Sequence, residues 1–286
     1  GKISEKMRMA SEEIGKHVIG QTQFTEQLLI ALLADGHVLI EGVPGVAKTL
    51  TARMMARTVD ALFKRIQFTP DLMPSDIIGT TIFNSGNSSF EFRKGPLFAN
   101  IVLTDEINRS PAKTQAALFE AMEERQITVD GSTYKLEEPF MVLATQNPVE
   151  HEGTYRLPEA QLDRFLFKIT VGYPSPDDEN TMLLNIHKNR RSTDPTQVQS
   201  VLNRKELLEL RKTVEKVIVE EHLIKYITSI VTSTRKNPSI YLGASPRAGI
   251  AMLNASKACA CMKGRDFVTP DDIRYICYPV LRHRIM

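Results

Sequence analysis

Cysteine is scarce in this chain: only Cys259, Cys261 and Cys277 occur in 286 residues. Cys259 and Cys261 are two positions apart and would point to different sides of a helix. No zinc-ligand spacing is present, so reduced, partly buried thiols are expected. Long apolar runs are missing too. The longest, Leu28 to Ala34, is far short of the roughly 20 residues a membrane-spanning helix needs. No signal-peptide pattern is present, so a reducing, cytoplasmic compartment is expected. Net charge is only +2, too small to draw bulk nucleic acid or a membrane surface. Tryptophan is absent, which excludes no function. Asn87-Ser88-Ser89 fits a glycosylation pattern, but without secretion it carries no meaning. Gly1 reads as a cloning remnant, and the protein is expected to run on beyond Met286.

What the chain does have is ordinary globular composition, 42% hydrophobic and 24% charged. Its length fits one large domain or two modest ones. One stretch organises it: Glu41-Gly42-Val43-Pro44-Gly45-Val46-Ala47-Lys48-Thr49-Leu50. The apolar run His37 to Ile40 before it reads as a buried strand, and Thr51 to Arg57 after it as a helix. Strand, glycine-bearing turn, then Lys-Thr opening a helix is the context of a phosphate-binding loop. Its glycines would let backbone N–H groups converge on phosphate oxygens, beside the positive end of the helix dipole. Lys48 would neutralise the β- and γ-phosphates, and Thr49 would offer its hydroxyl to Mg²⁺. The general pattern wants glycine where Ala47 stands, so an ordinary strand-to-helix turn remains the alternative.

A second stretch, Ile101 to Glu106, reads as a central parallel strand ending in two carboxylates. Ligands bind at such C-terminal strand ends in open α/β sheets. There Asp105 would hold Mg²⁺, and Glu106 would orient and deprotonate an attacking water. Ser110-Pro111 is expected to open a helix, Ser110 as N-cap and Pro111 at the first helical position. Phe140 to Asn147 reads as a further buried strand, ending in an amide able to hold the same water as Glu106. Phe165 to Ile169 reads as the last strand, with Arg164 just before it at the sheet edge. Hairpins are expected over residues 81–93, around Asn84-Ser85-Gly86-Asn87, and over 126–136, around Asp130-Gly131. Val18-Ile19-Gly20 has two readings: a hydrophobic entry into the amphipathic helix that carries Phe24, Leu28, Ala31 and Leu32 at three-to-four spacing, or a seat for an adenine ring.

Gly172-Tyr173-Pro174 marks a domain boundary, giving 1–172 and 173–286. Beyond it the pattern is all-helical. Ser245 is expected to cap a helix whose first turn carries Arg247. A cation there opposes the dipole by a few tenths of a kcal/mol. An anion outside the helix, such as a γ-phosphate, would offset that; a plain surface arginine is the alternative.

Taken together, Gly42 to Thr49, Leu103 to Pro111, Glu120 to Gln126, Ala144 to Pro148, Leu157 to Phe165 and Gly243 to Arg247 resemble the AAA+ ATPases, specifically the MoxR family. The resemblance covers almost the whole chain, and alanine before the lysine looks normal for that family. It implies an α/β fold: an αβα core on a parallel sheet, a smaller all-helical lid, and ATP with Mg²⁺ between them. It makes Lys48 and Thr49 Walker A residues, and Asp105 and Glu106 Walker B residues. Asn147 corresponds to sensor 1, Arg247 to sensor 2, and Arg164 to an arginine finger reaching a neighbouring subunit. It also implies a homo-oligomeric ring, often hexameric, that remodels or activates protein complexes. A partner with a von Willebrand factor A domain is often involved. Two competing classes are a nucleic-acid motor or loader, with Arg93 and Lys94 as local basic residues, and a small-molecule P-loop kinase. Low net charge weighs against the first; the helical second domain and a candidate trans arginine weigh against the second.

Overall fold

The computed structural model describes residues 1–42, 47–146, 156–189 and 195–286. Five strands form one parallel sheet: β1 (Val38–Gly42), β2 (Phe63–Gln67), β5 (Ile101–Asp105), β8 (Met141–Thr145) and β9 (Phe167–Val171). Their order is β2-β5-β8-β1-β9. The central strands β5 and β8 are aliphatic and buried on both faces, as a parallel sheet covered by helices requires. Side chains alternate between two cores. Ile101, Leu103, Met141 and Leu143 face one cluster, while Val102, Val142 and Ala144 face the other.

Two hairpins interrupt the strand–helix alternation, as the turn signals predict. They are β3 (Gly79–Asn84) with β4 (Ser89–Lys94), and β6 (Gln126–Val129) with β7 (Ser132–Lys135). They lean on each other through Phe92 and Tyr134, stacked at 4.4 Å, while Phe83 and Phe90 remain exposed.

The helices around the sheet are α1 (Lys2–Gly15), α2 (Thr22–Leu33), α3 (Lys48–Thr58), α4 (Pro74–Ile78), α5 (Ala112–Glu124) and α6 (Glu159–Leu162). At α5 the cap differs from expectation. Pro111 is the N-cap and the helix begins at Ala112. Ser110 instead donates its hydroxyl to the Ile107 carbonyl (3.0 Å), closing the preceding 3₁₀ turn. After β9 the chain is helical: α7 (Pro176–Asn189), α8 (Arg204–Glu215), α9 (Glu221–Lys236), α10 (Pro246–Met262) and α11 (Pro270–Leu281). The alanine-rich α10 packs against α1, α2, α8, α9 and α11, and α11 packs against β9. The small side chains Ala248, Ala251, Ala255 and Ala258 are buried and let those neighbours approach closely. One apolar cluster therefore runs unbroken from the sheet's α1–α3 face into the C-terminal helices. Cys259 and Cys261 lie in it, and burial pushes their thiols up to about 12 and about 11.

Two histidines are built into the interior in neutral form. His37, just before β1, accepts from the Val142 N–H at Nδ1 (2.9 Å) and meets the Met122 carbonyl at Nε2 (3.2 Å). Burial, helped by the Arg125 charge, lowers its pKa to about 3. His283 meets the Phe165 carbonyl at Nε2 (2.7 Å), and burial with the Arg284 charge lowers it to about 3 as well. Their folded pKa values lie below the unfolded value of about 6.5, so the unfolded chain takes up protons first as pH falls. The stability they contribute is full above about pH 6.5 and lost on the way down to about 3, at up to about 1.4 kcal/mol per pH unit for each. Urea unfolding followed from pH 7 to pH 5 should show this slope, and His37→Gln should flatten it by about one proton. Equal slopes in the two proteins would contradict the assignment.

Candidate active site

The sheet's C-terminal edge gathers the polar residues that the sequence singles out. β1 ends at Gly42, whose neighbour across the sheet is Val171. A Cβ on residue 42 would stand 2.6 Å from the Val171 carbonyl oxygen, so only glycine lets the chain leave the strand here. Residues Val43, Pro44, Gly45 and Val46 lie outside the described residues. Ala47 is the N-cap of α3 and has no side-chain cap; no acidic residue occupies the helix's first turn. Among the described residues, the first N–H groups of α3 thus have no side-chain cap, as an anion site at a helix N-terminus requires. Lys48 opens the helix, and its ammonium donates to the Gly42 carbonyl (3.4 Å). Half-burial lowers the Lys48 pKa, and the negative charge of Asp105 opposes that shift. Thr49 and Leu50 follow, both half-buried.

Asp105 ends β5 two strands away from β1. Thr145, at the end of β8 between them, ties the two carboxylate residues together. Its hydroxyl donates to Asp105 Oδ1 (3.2 Å) and accepts from the Glu106 N–H (2.9 Å). Glu106 sits at φ 55°, ψ 50°, a left-handed conformation that a non-glycine residue adopts at a cost of about 1–3 kcal/mol. The kink turns its carboxylate off the strand axis. Arg109 Nη1 (3.1 Å) and Gln67 Nε2 (3.4 Å) both reach Glu106 Oε2. Arg65 Nε pairs with Asp105 Oδ2.

Arg65, Gln67, Arg109 and Thr145 are thus site residues that sequence reasoning missed. Arg65 and Gln67 enter through register, since β2 and β5 pair Arg65 with Leu103 and Gln67 with Asp105. The one available signal was Thr145 at a strand end, beside the amide already suspected. That amide, Asn147, lies outside the described residues.

Val18-Ile19-Gly20 sits at the same end of the sheet. Gln21 donates to the Gly172 carbonyl just past β9 (3.4 Å), and Gly20 faces Asp178 in the first turn of α7. Val18 is buried in the core cluster, Ile19 half-buried, and Gly20 exposed at φ +78°.

The arginines go elsewhere. Helix α5 runs back along the sheet, and Arg125 at its end bonds Asp35 and the Phe140 carbonyl, both just before strands. The end of α5 therefore marks the N-terminal edge of the sheet. Arg164 donates to the Phe119 carbonyl there (3.1 Å), with its guanidinium 6.0 Å from the Phe119 ring. Arg247 pairs with Glu123 at 3.2 Å on the same edge. The five-residue strands put roughly 16 Å between this edge and Lys48. The structure therefore does not bring Arg247 or Arg164 together with Lys48, Asp105 and Glu106 within one chain. The start of α10 is held at that same edge, where Ser245 donates to Asp163 (2.7 Å).

A parallel sheet with a lysine-opened helix after its first strand and two carboxylates at the end of a strand one removed from it defines the P-loop ATPase class. Family models agree in detail. Residues 37–167 match the ATPase family associated with various cellular activities (AAA), and residues 232–286 match the AAA lid domain. Chaperone MoxR1 of Mycobacterium tuberculosis is 46% identical over 96% of this chain and 74% of its own length. Protein MoxR of Methylorubrum extorquens is 30% identical over 96% of this chain and 85% of its own. A solved structure from Cytophaga hutchinsonii, described as a candidate ATPase, superposes with a TM-score of 0.91 at 45% identity, covering 100% of this chain and 88% of that one. The chain belongs to the MoxR family of AAA+ ATPases.

Proposed function

We propose that this protein hydrolyses ATP in a ring of identical subunits and uses the energy to remodel or activate protein complexes. The observation that carries the reading is the convergence of Lys48, Asp105, Thr145 and Glu106 on one edge of the sheet. Lys48 and the uncapped start of α3 bind the phosphates. Thr49 and Asp105 are hard oxygen donors of the kind Mg²⁺ takes, and the ion would neutralise charge on the β- and γ-phosphates. Glu106 accepts the proton of the attacking water. Arg164 and Arg247, on the opposite edge, serve the ATP of the next subunit, which makes the ring part of the chemistry. The chaperone name of the Mycobacterium relative supports a protein client. A partner with a von Willebrand factor A domain, a cytoplasmic location, and a division into a core over 1–172 and a lid over 173–286 belong to the same proposal. Among the described residues no helix is long and apolar enough to cross a membrane.

The test begins with Lys48→Ala. The loop would lose its point charge on the β- and γ-phosphates, and ATP binding measured by calorimetry should disappear. Retained micromolar affinity would remove the phosphate-loop assignment. ATP turnover by the wild-type ring, with and without DNA, then separates the readings. Stimulation by DNA would favour a nucleic-acid motor, and indifference a protein client.

A further inference from the structure

Asp163 is gripped from the far end of the chain. Arg284 is buried, and all five of its N–H donors have acceptors. Nε donates to Asp163 Oδ1 (2.7 Å). Nη1 donates to the carbonyls of Leu166 (3.1 Å) and Val280 (2.8 Å). Nη2 donates to those of Asp163 (3.0 Å) and Phe165 (2.7 Å). The other Asp163 oxygen, Oδ2, accepts from Ser245 Oγ (2.7 Å) at the start of α10. Only a guanidinium presents five donors in a rigid fork; a lysine has three on one atom. A cavity of about 220 Å³, lined by Glu159, Asp163, Ser245 and Arg284 among others, adjoins this chain of contacts. Close packing does not fill that side of Asp163, so the hydrogen bonds must fix its position.

The residues held this way flank the two arginines. Arg164 directly follows Asp163, and Arg247 lies two residues beyond Ser245. We propose that Arg284, Asp163 and Ser245 form a positioning clamp that fixes Arg164 and Arg247 as one rigid unit for presentation to the neighbouring subunit's ATP. The inference rests on the reading of both arginines as acting between subunits. The clamp joins the loop before β9 to the first turn of α10, so a movement of the C-terminal helices carries both arginines together. Small displacements matter at such a site: about 1 Å of misplacement can cost about 100-fold in rate.

Ser245→Ala and Arg284→Lys test it in the full chain. Ser245 makes no side-chain cap to α10, so alanine removes the link to Asp163 and leaves the helix cap unchanged. Both variants lie at the sheet edge remote from Lys48 and should bind ATP as the wild type does. Hydrolysis should fall about 10- to 100-fold, and Ser245→Thr, which keeps the hydroxyl, should restore it. Mixed with Lys48→Ala protein, whose clamp is intact, both slow variants should regain activity, because a neighbour supplies well-placed arginines. A lesion in the variant's own fold or nucleotide site would not be rescued this way. Arg164→Ala mixed with Lys48→Ala is the control. If the control recovers while Ser245→Ala and Arg284→Lys do not, or if Ser245→Ala turns over at the wild-type rate, the clamp is overturned and the between-subunit reading stands. If the control stays inactive in mixed rings seen by native mass spectrometry, that reading falls and the clamp falls with it.

Discussion

Glu106→Gln should bind ATP with wild-type affinity and hydrolyse it about 10²–10⁴-fold more slowly, the usual span of general-base catalysis. The substitution is nearly isosteric and does not touch Lys48, Thr49 or Asp105. The Thr145 hydroxyl bonds the backbone N–H of residue 106, so the left-handed kink that aims the side chain should survive. What is lost is the ability to take the water's proton, because an amide oxygen is a far weaker base than a carboxylate. The partners of Glu106 sharpen the expectation. Gln67 still finds an acceptor in the amide oxygen, whereas Arg109 loses its counter-charge. Both Glu106 and Arg109 are more than a third exposed, so water screens that loss and stability should change little. Calorimetry gives the affinity, and a single-turnover phosphate-release assay gives the rate of the chemical step. Turnover within a few-fold of wild type would show that another group takes the proton.

What could be read from the sequence was whatever is written locally. Strands β5 and β8 are aliphatic runs with no polar residue until their ends, which only a doubly covered parallel strand tolerates. Asp130-Gly131 gave its hairpin away because the turn needs positive φ, and both residues have it, at 50° and 78°. The carboxylates of Asp105 and Glu106 could be placed once a strand was assigned to end there. Residues brought in by pairing were not legible. Arg65 and Gln67 reach the site because β2 lies beside β5 in one register, and no local pattern sets that register. The five-residue α4 is too short to show a helical period. The contacts of longest range were the least legible. Which end of the sheet α10 meets is decided by contacts such as Arg284 with Asp163, 121 residues apart. Local reading put a cation in a helix's first turn and inferred an anion nearby, but it could not say whose.

Arg164→Ala should fold and bind ATP normally yet hydrolyse it about 10³–10⁵-fold more slowly, the range reported for arginine fingers. Its hydrogen bond and ring contact with Phe119 are half-buried and peripheral to the core, so removing the side chain opens no sizeable cavity. Its distance from its own Lys48, roughly the length of a five-residue strand, excludes a direct role at its own phosphates. A permanently charged planar guanidinium suits the charge spread over the transferring phosphoryl oxygens, and a neighbouring subunit is the remaining place to find them. Arg247, on the same edge and, among the described residues, held by a half-exposed pair with Glu123, should behave alike, since that pair can exchange for a phosphate at little cost. The geometry then makes a demanding forecast. Arg164→Ala has intact nucleotide sites and no finger, while Lys48→Ala has fingers and no sites. Neither should turn over alone. In mixed rings some interfaces combine an intact site with an intact finger, so activity should return, peaking at an intermediate mixing ratio. Arg247→Ala with Lys48→Ala should recover in the same way, whereas Glu106→Gln with Lys48→Ala should not, because both lesions fall in the same half of the composite site. If no ratio restores Arg164→Ala while native mass shows mixed rings, the arginine acts within its own subunit or only structurally, and the between-subunit reading falls.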